Sequence, residues 1–408
     1  MTPPAARPQL TGRVPDLSEL PTDPRLVRAA LCRYARPGDP AVHALLGAGR
    51  PQAALREALR CSGGPGAADA RWRVLDTDPA ADLDTAARAR VRFLVPGDDE
   101  WPDGVDDLPG PGWSPDPGQP GVGPPFGLYV LGPLRLPARA DRAVAVVGSR
   151  AATAYGTWAA SEIASDVAEA GHTVVSGGAL GIDGAAHRGA LAVGGPTLAV
   201  LAGGALDIYP RAHRALLQRL AAEGAVVSES PPDAVAVRHR FLSRNRLIAA
   251  LAAGVVLVEA AVRSGALSTL RRAVDLNRVD MVVPGPVTST ASGGSNRWLQ
   301  GSGALVTGGA DVLELVGPLG AEPPAVRRGG AAKERSADAR ARDGIRGLAL
   351  LVLDQVPARG PRPLEAVAAA AGVHPHRALA LLEHFREAGL VTVTDDGWTI
   401  TRGAGNST

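Results

Sequence analysis

Residues 238–246 read RHRFLSRNR, which places Arg238, Arg240, Arg244 and Arg246 around Phe241 and Asn245. Between Asp233 and Asp275 the only acid is Glu259, against seven arginines. Guanidinium groups hold phosphate oxygens in charge-assisted pairs, and an aromatic ring among them offers a face on which a base stacks. The segment opens the run RLIAALAAG, so it belongs at the start of a helix. It predicts a polyanion site. The alternative is a solvated helix face, which ordinarily mixes charges of both signs.

A second anion-directed element lies at VVGSRAATAYG, 146–156, where an apolar strand ends in Gly148, Ser149 and Arg150 and a helix follows at Tyr155 and Gly156. Gly148 permits close backbone approach, the helix N-terminus is expected to offer unpaired N–H groups, and Arg150 adds a fixed charge. These features suit phosphate; a surface pair with an acid is the other reading of Arg150. The glycine-dense stretch SGGALGIDGAAHRGAL, 176–191, includes Gly178 and puts Asp183 and His187 on one helical face. That i, i+4 spacing could serve a metal or acid–base chemistry, but no second His or Cys ligand is near, so a capping Asp183 and a locally bonded His187 are expected. Ser264, Gly265, Ser268 and Thr269 occupy a further Gly/Ser-rich turn, either as anion contacts or as helix caps.

Nucleotide cofactors fit these turns poorly. The dinucleotide fingerprint lacks its second and third glycines after Gly148, and GxxxxGK[ST] occurs nowhere in the chain. No Walker-type ATPase, no metal and no cofactor are predicted.

Turns of this kind need strands to hold them. Seven apolar runs supply them: AVAVVG (143–148), HTVVSGG (172–178), TLAVLAGG (197–204), GAVVSES (224–230), GVVLVEA (254–260), VDMVVPG (279–285) and ALVTGG (304–309). Helix-length segments lie between them, as at Ala160, Ile163, Val167 and Ala170, spaced for one helical face. Unbroken apolar strands alternating with helices mean an α/β fold, a doubly wound parallel sheet covered on both faces, with ligands outside the carboxyl ends of its strands.

The flanks read differently. Residues 1–90 carry short helical patterns (23–60) and predict a small N-terminal helical domain; 91–316 holds the α/β domain, with a Gly/Pro/Asp-rich loop or insertion at 103–125. Residues 317–343 form a Pro/Gly/charged linker. Residues 344–402 predict three helices and a hairpin, a winged helix, with Leu364, Val367, Ala371, Leu379, Leu382 and Phe385 in its core. Net charge is only +2, and a single lysine, Lys333, makes nearly every cation an arginine, a bias that coding composition explains most simply. Two cysteines, no secretory apolar segment and no membrane-length apolar run predict a cytoplasmic protein without a membrane partner.

The blocks GSRxxTxYG, SGGALGIDGAAHRGAL, YP (209–210), SES, FLSRNRLIAAL, VEAxxRSGALST, VPG and SNRWLQGSGA stand in an order that resembles the DprA/Smf DNA-processing family, over residues 141–316. RFLVPGDDEWP…LP…PFGLYVLGP (92–133) is similar to the family's lead-in. The resemblance implies an extended Rossmann-like domain that binds single-stranded DNA, dimerises, and loads the recombinase RecA during DNA uptake. It also implies an N-terminal domain of the SAM or helix-hairpin-helix kind and a C-terminal winged helix. Its DNA contacts would fall on Ser149, Arg150, Arg238, Phe241, Arg244 and Asn245. With the turns read above, the expected interface is Gly148, Ser149, Arg150, Tyr155, Gly178, Arg238, Phe241, Arg244, Asn245, Arg246, Ser264 and Gly265. STLRRAVDLNR (268–278) is more arginine-rich than the family's usual continuation.

Two other functions compete. Phosphoribohydrolases of the same fold superfamily carry PGGxGTxxE; the nearest match here, SGALSTLRR (264–272), has Arg272 where the carboxylate belongs, so general acid–base cleavage would fall to Asp183, His187 or Glu259. A transcription regulator would read DNA through helix 374–388, but Arg377 and Arg386 there are offset by Glu383 and Glu387.

Overall fold

Three helices begin at an Asp-Pro step. Asp23, Asp39 and Asp78 each accept backbone N–H bonds from the following turn, and the proline after each is preset for the first helical position. A computed structural model of the chain describes residues 20–61, 78–109, 123–137, 140–301, 303–317, 352–353, 355–357, 360–387 and 389–401. It divides into two units, Met1–Arg327 and Arg328–Thr408.

The first unit opens with α1 (Pro24–Tyr34), α2 (Pro40–Gly47), α3 (Pro51–Cys61) and α4 (Pro79–Arg88), followed by β1 (Val91–Leu94) and β2 (Leu128–Leu131). The alternating part follows: β3 (Ala143–Val147), α5 (Ala154–Glu169), β4 (Thr173–Ser176), α6 (Ile182–Ala192), β5 (Thr197–Val200), α7 (Arg214–Glu223) and β6 (Ala225–Ser228). It continues with α8 (Arg238–Ala250), β7 (Gly254–Leu257), α9 (Ala266–Asp275), β8 (Val279–Val282), α10 (Gly293–Leu299), β9 (Ala304–Leu305) and α11 (Gly309–Val316). Every apolar run expected to be a strand is one.

The strands join in the order β1-β2-β6-β5-β4-β3-β7-β8-β9. β3 to β9 are parallel, while β1 and β2 are antiparallel additions beside β6. The sheet is therefore mixed at one edge, where the sequence reading expected only parallel strands. Successive residues of β3 feed opposite faces: Ala143, Ala145 and Val147 pack with α8 and α9, and Val144 and Val146 pack with α5 and α6.

Among the described residues of 24–88, the apolar side chains join the sheet's own core. Val27, Leu31, Leu55 and Ala86 share one apolar cluster with Tyr129, Ala199, Leu217 and Val226 of the sheet and its helices. A boundary near residue 90 therefore cuts through a continuous core. Arg33 reinforces the join by pairing with Asp82 of α4 and, at 2.8 Å, with Asp233 of the loop leading into α8.

Chain order reverses beside β3. The path β3, β4, β5, β6 moves one way, then returns to place β7 on the other flank of β3. At such a switch the loops leaving two adjacent strands separate to opposite faces, and a crevice opens at their carboxyl ends. Here those loops are 148–153 and 258–265.

Within the second unit, α12 (Leu364–Ala370) and α13 (Pro375–Glu387) precede a hairpin of β10 (Val391–Thr394) and β11 (Gly397–Ile400). Val367, Leu382 and Phe385 are buried as expected, Leu364 and Ala371 pack at the margin, and Leu379 is exposed. Leu379 stands three residues before Leu382 yet falls outside the narrow apolar stripe of α13. The linker 318–343 and most of the expected helix 345–356 lie outside the described residues, as does 110–122 of the loop before β2.

Candidate functional site

The crevice is a cavity of about 890 Å³. Its lining includes Gly148, Ser149 and Arg150 after β3, Arg238, Phe241, Arg244 and Asn245 of α8, and Ser264 and Gly265 before α9. Among the described residues its charged lining is Arg150, Arg238, Arg244 and Arg263 against Asp183. Nine of the twelve expected interface residues thus meet around one basic cavity. Tyr155, Gly178 and Arg246 do not.

Arg246 is the clearest correction. Its guanidinium is buried and binds Glu229 through both terminal nitrogens at 2.8 and 2.7 Å, with further bonds to the carbonyls of Gly123 and Ser243. With its donors spent on protein oxygens, it staples α8 to the exit of β6. Tyr155 donates its hydroxyl to the Pro284 carbonyl at 2.7 Å, bracing α5 against the exit of β8. Gly178 is buried with φ +66°, and a Cβ there would approach Leu201 and Leu217 at 3.2 and 3.3 Å. It shapes the turn that carries Asp183.

The N-terminus of α5 is also closed to a ligand. Thr153 caps it from its side chain, and the buried Glu259 carboxylate accepts from the Thr153 N–H at 2.9 Å and the Thr153 hydroxyl at 2.7 Å. Gly156 makes room for this arrangement, since a Cβ there would stand 2.2 Å from Glu259 Oε2. The seat expected for a phosphate is taken by the protein's own carboxylate. Ser149 is likewise fixed by its backbone, donating to Glu259 O at 2.7 Å and accepting from Ile182 N–H at 3.1 Å.

His187 is bonded within the protein as expected, whereas Asp183 is not the helix cap that the sequence suggested. Asp183 is buried in the first turn of α6 and accepts from the Gly177 and Ala179 N–H groups at 3.1 and 3.3 Å, holding the preceding loop rather than capping its own helix. Burial pushes its carboxyl up, against the pull of Arg244. His187 Nδ1 lies 2.8 Å from Thr197 Oγ1, whose proton goes to the Val174 carbonyl, so the imidazole carries its proton on Nδ1. Burial, with His213, Arg188 and Arg244 adding to it, pushes His187 down to about 3. An unfolded histidine protonates near 6.5, so between pH 6.5 and about 3 the unfolded chain binds the extra proton and stability falls as pH falls. Denaturant midpoints should decline over that window. His187→Asn should flatten the decline by up to about 1.4 kcal/mol per pH unit.

Arg244 forms the floor of the cavity. It is 5% exposed, donates to the Val200 carbonyl, and leaves its buried Nε–H without a partner among the described residues. Burial, deepened by Arg150 and only partly offset by Asp183, pushes the guanidinium down to about 10. Gly177 is required beneath it, because a Cβ there would fall 2.2 Å from one terminal nitrogen. An anion in the cavity would bring opposite charge to this buried cation.

The rim carries the aromatic groups. Arg150 enters no ion pair with a described residue; its guanidinium carbon lies 4.9 Å from the Phe241 ring centroid. Asn245 gives its amide to Ser268 Oγ at 2.7 Å, and Ser268 donates to Gly265 O, so these residues fix the turn before α9. Ser264 Oγ accepts from the Ala266 N–H at 3.3 Å while lining the cavity. Arg263, Tyr209 and the exposed Leu242 line it too; Tyr209 stood in the YP block, but none of the three was expected as a contact. Arg263 was visible as one of the seven arginines, but it sits far from the 238–246 cluster in sequence.

Residues 92–317 match the family model described as DNA recombination-mediator protein A. A Mycobacterium tuberculosis protein provisionally called DNA processing protein DprA is 41% identical over 330 residues, covering 80% of this chain and 82% of its own. Protein Smf of Escherichia coli is 43% identical over 192 residues, covering 47% of this chain and 50% of its own. The crystal structure of DNA processing protein A from Streptococcus pneumoniae is similar with a TM-score of 0.57 at 28% identity, covering 71% of this chain and 97% of that one.

Proposed function

The chain belongs to the DNA recombination-mediator protein A family, DprA/Smf, and from that premise we propose that the basic cavity binds single-stranded DNA. The observation that carries this reading is Arg244, a buried cation with an unpartnered donor at the floor of a cavity lined by three further arginines. A phosphodiester supplies the opposing charge. Phe241, half-buried beneath Arg150, offers a stacking face at the rim. The bases of an open strand reach such a ring, whereas those of a duplex are stacked on one another.

As a mediator, the protein would shield single strands and pass them to RecA, acting as a homodimer. The helices and hairpin of the second unit would form a winged helix with an accessory part. Hydrolysis has weaker support, because Asp183 and Glu259 spend oxygens on backbone N–H groups and Arg272 pairs with Asp275 at 3.2 Å.

The salt dependence of binding tests the reading. Each phosphate neutralised on a single strand contributes a slope of about −0.7 in log K against log[salt]. Arg263→Ala should make the slope shallower by about that amount and weaken binding equally for all sequences. An unchanged slope in this variant, or a wild type whose binding ignores salt, would contradict the phosphate-gripping cavity.

A further inference from the structure

A ridge of three side chains divides the crevice. Arg150 lies over Phe241, and the Tyr209 ring meets Phe241 edge-on, with centroids 5.7 Å apart and planes at 62°. The four-arginine cavity lies on one side. On the other is a slot of about 50 Å³, walled by Leu201, Ala202, Pro210 and the backbones of Gly177 and Gly203. That volume takes a few waters, or the edge of a flat ring, rather than a whole base.

The slot's one carboxylate is Asp207. Its Oδ2 accepts from the Ala236 N–H at 3.1 Å and packs over Gly203, where a Cβ would stand 2.9 Å away. Its Oδ1 has no hydrogen bond, and the group has no ion pair, with any described residue. An acceptor-only group beside a bound polyanion repels phosphate, so what covers it must donate. The donors a DNA strand carries are on its base edges.

Resting on the strand-binding reading above, we propose that Asp207 reads one base of the bound strand. The base stacks on the Tyr209–Phe241 ridge, and its Watson–Crick edge turns into the slot. Guanine fits best, because its N1–H and N2 amine lie side by side and meet both carboxylate oxygens. Cytosine and adenine offer an amine alone. Thymine offers a single N3–H between two carbonyl oxygens, which the carboxylate repels. The strand is therefore held by its phosphates without regard to sequence, except at one seat.

The test is fluorescence anisotropy with short thymine oligomers, with and without one guanine, and with inosine in the guanine's place. Guanine should tighten binding about tenfold, the scale of a bidentate base contact. Inosine, lacking the N2 amine, should lose most of that gain. Asp207→Asn, which keeps an acceptor for the Ala236 N–H, should bring the guanine-to-thymine affinity ratio below about twofold. If the all-thymine strand binds and guanine adds nothing, the base-reading role is overturned while the strand site stands. If no strand binds, the strand site itself is lost. The inosine comparison uses the wild type, so it decides even if the variant unfolds.

Discussion

Replacing Arg244 with methionine should weaken single-stranded DNA binding by at least about 30-fold while leaving the fold as stable as the wild type, or more so. The two halves have one cause. Burial pushes the Arg244 guanidinium down to about 10, well below the ordinary arginine range, so the folded protein disfavours this charge. Asp183 offsets part of that, and an Nε–H stays without a protein partner. Methionine fills similar volume and removes the desolvated cation. A phosphate in the cavity then loses its most buried partner, and truncating one side of a desolvated charge pair costs about 2–5 kcal/mol in binding. Anisotropy titration and urea denaturation of the same variant measure both halves. A variant that is clearly less stable in urea, yet binds normally while folded, would show that Arg244 is a structural residue.

Arg246, two residues on, should behave in the opposite way. Arg246→Met leaves the buried Glu229 carboxylate without its two-pronged partner, and breaking a buried pair from one side costs about 3–5 kcal/mol. Urea denaturation should show the loss directly. Removing Glu229 as well, in Arg246→Met with Glu229→Leu, should recover much of it, because no charge is then stranded. DNA affinity per folded molecule should change little. A single variant of unaltered stability would contradict the role of the pair as a staple between α8 and the β6 exit.

The contrast between these neighbours shows where sequence reasoning stopped. The repeated strand–helix pattern made the parallel sheet legible, since apolar runs of that length have few other uses, and strand exits located the crevice. Residue type alone did not say which way each arginine of RHRFLSRNR points. On a helix, positions two apart face different directions, and Arg246 turns to Glu229, an acid in SES that no spacing rule links to it. Gly156 and Tyr155 looked like parts of a phosphate turn for a similar reason. Gly156 is small to admit Glu259, whose place at the end of β7 is fixed by tertiary structure. β1 and β2 were hidden because no strand–helix alternation frames them, whereas strands of the same length were legible where a helical pattern followed each one. What the N-terminal helices pack against was not legible either, because an amphipathic pattern does not reveal which surface covers it.

Competition between a labelled single-stranded oligonucleotide and its duplex for the wild-type protein tests the central claim most directly. Held at one moderate salt concentration, the single strand should bind at least tenfold more tightly, and the duplex should displace it poorly. Equal displacement by both forms would mean that phosphate charge alone is recognised. In that case the Phe241 ridge has no part in binding, and the cavity at the β3–β7 switch is not a single-strand site.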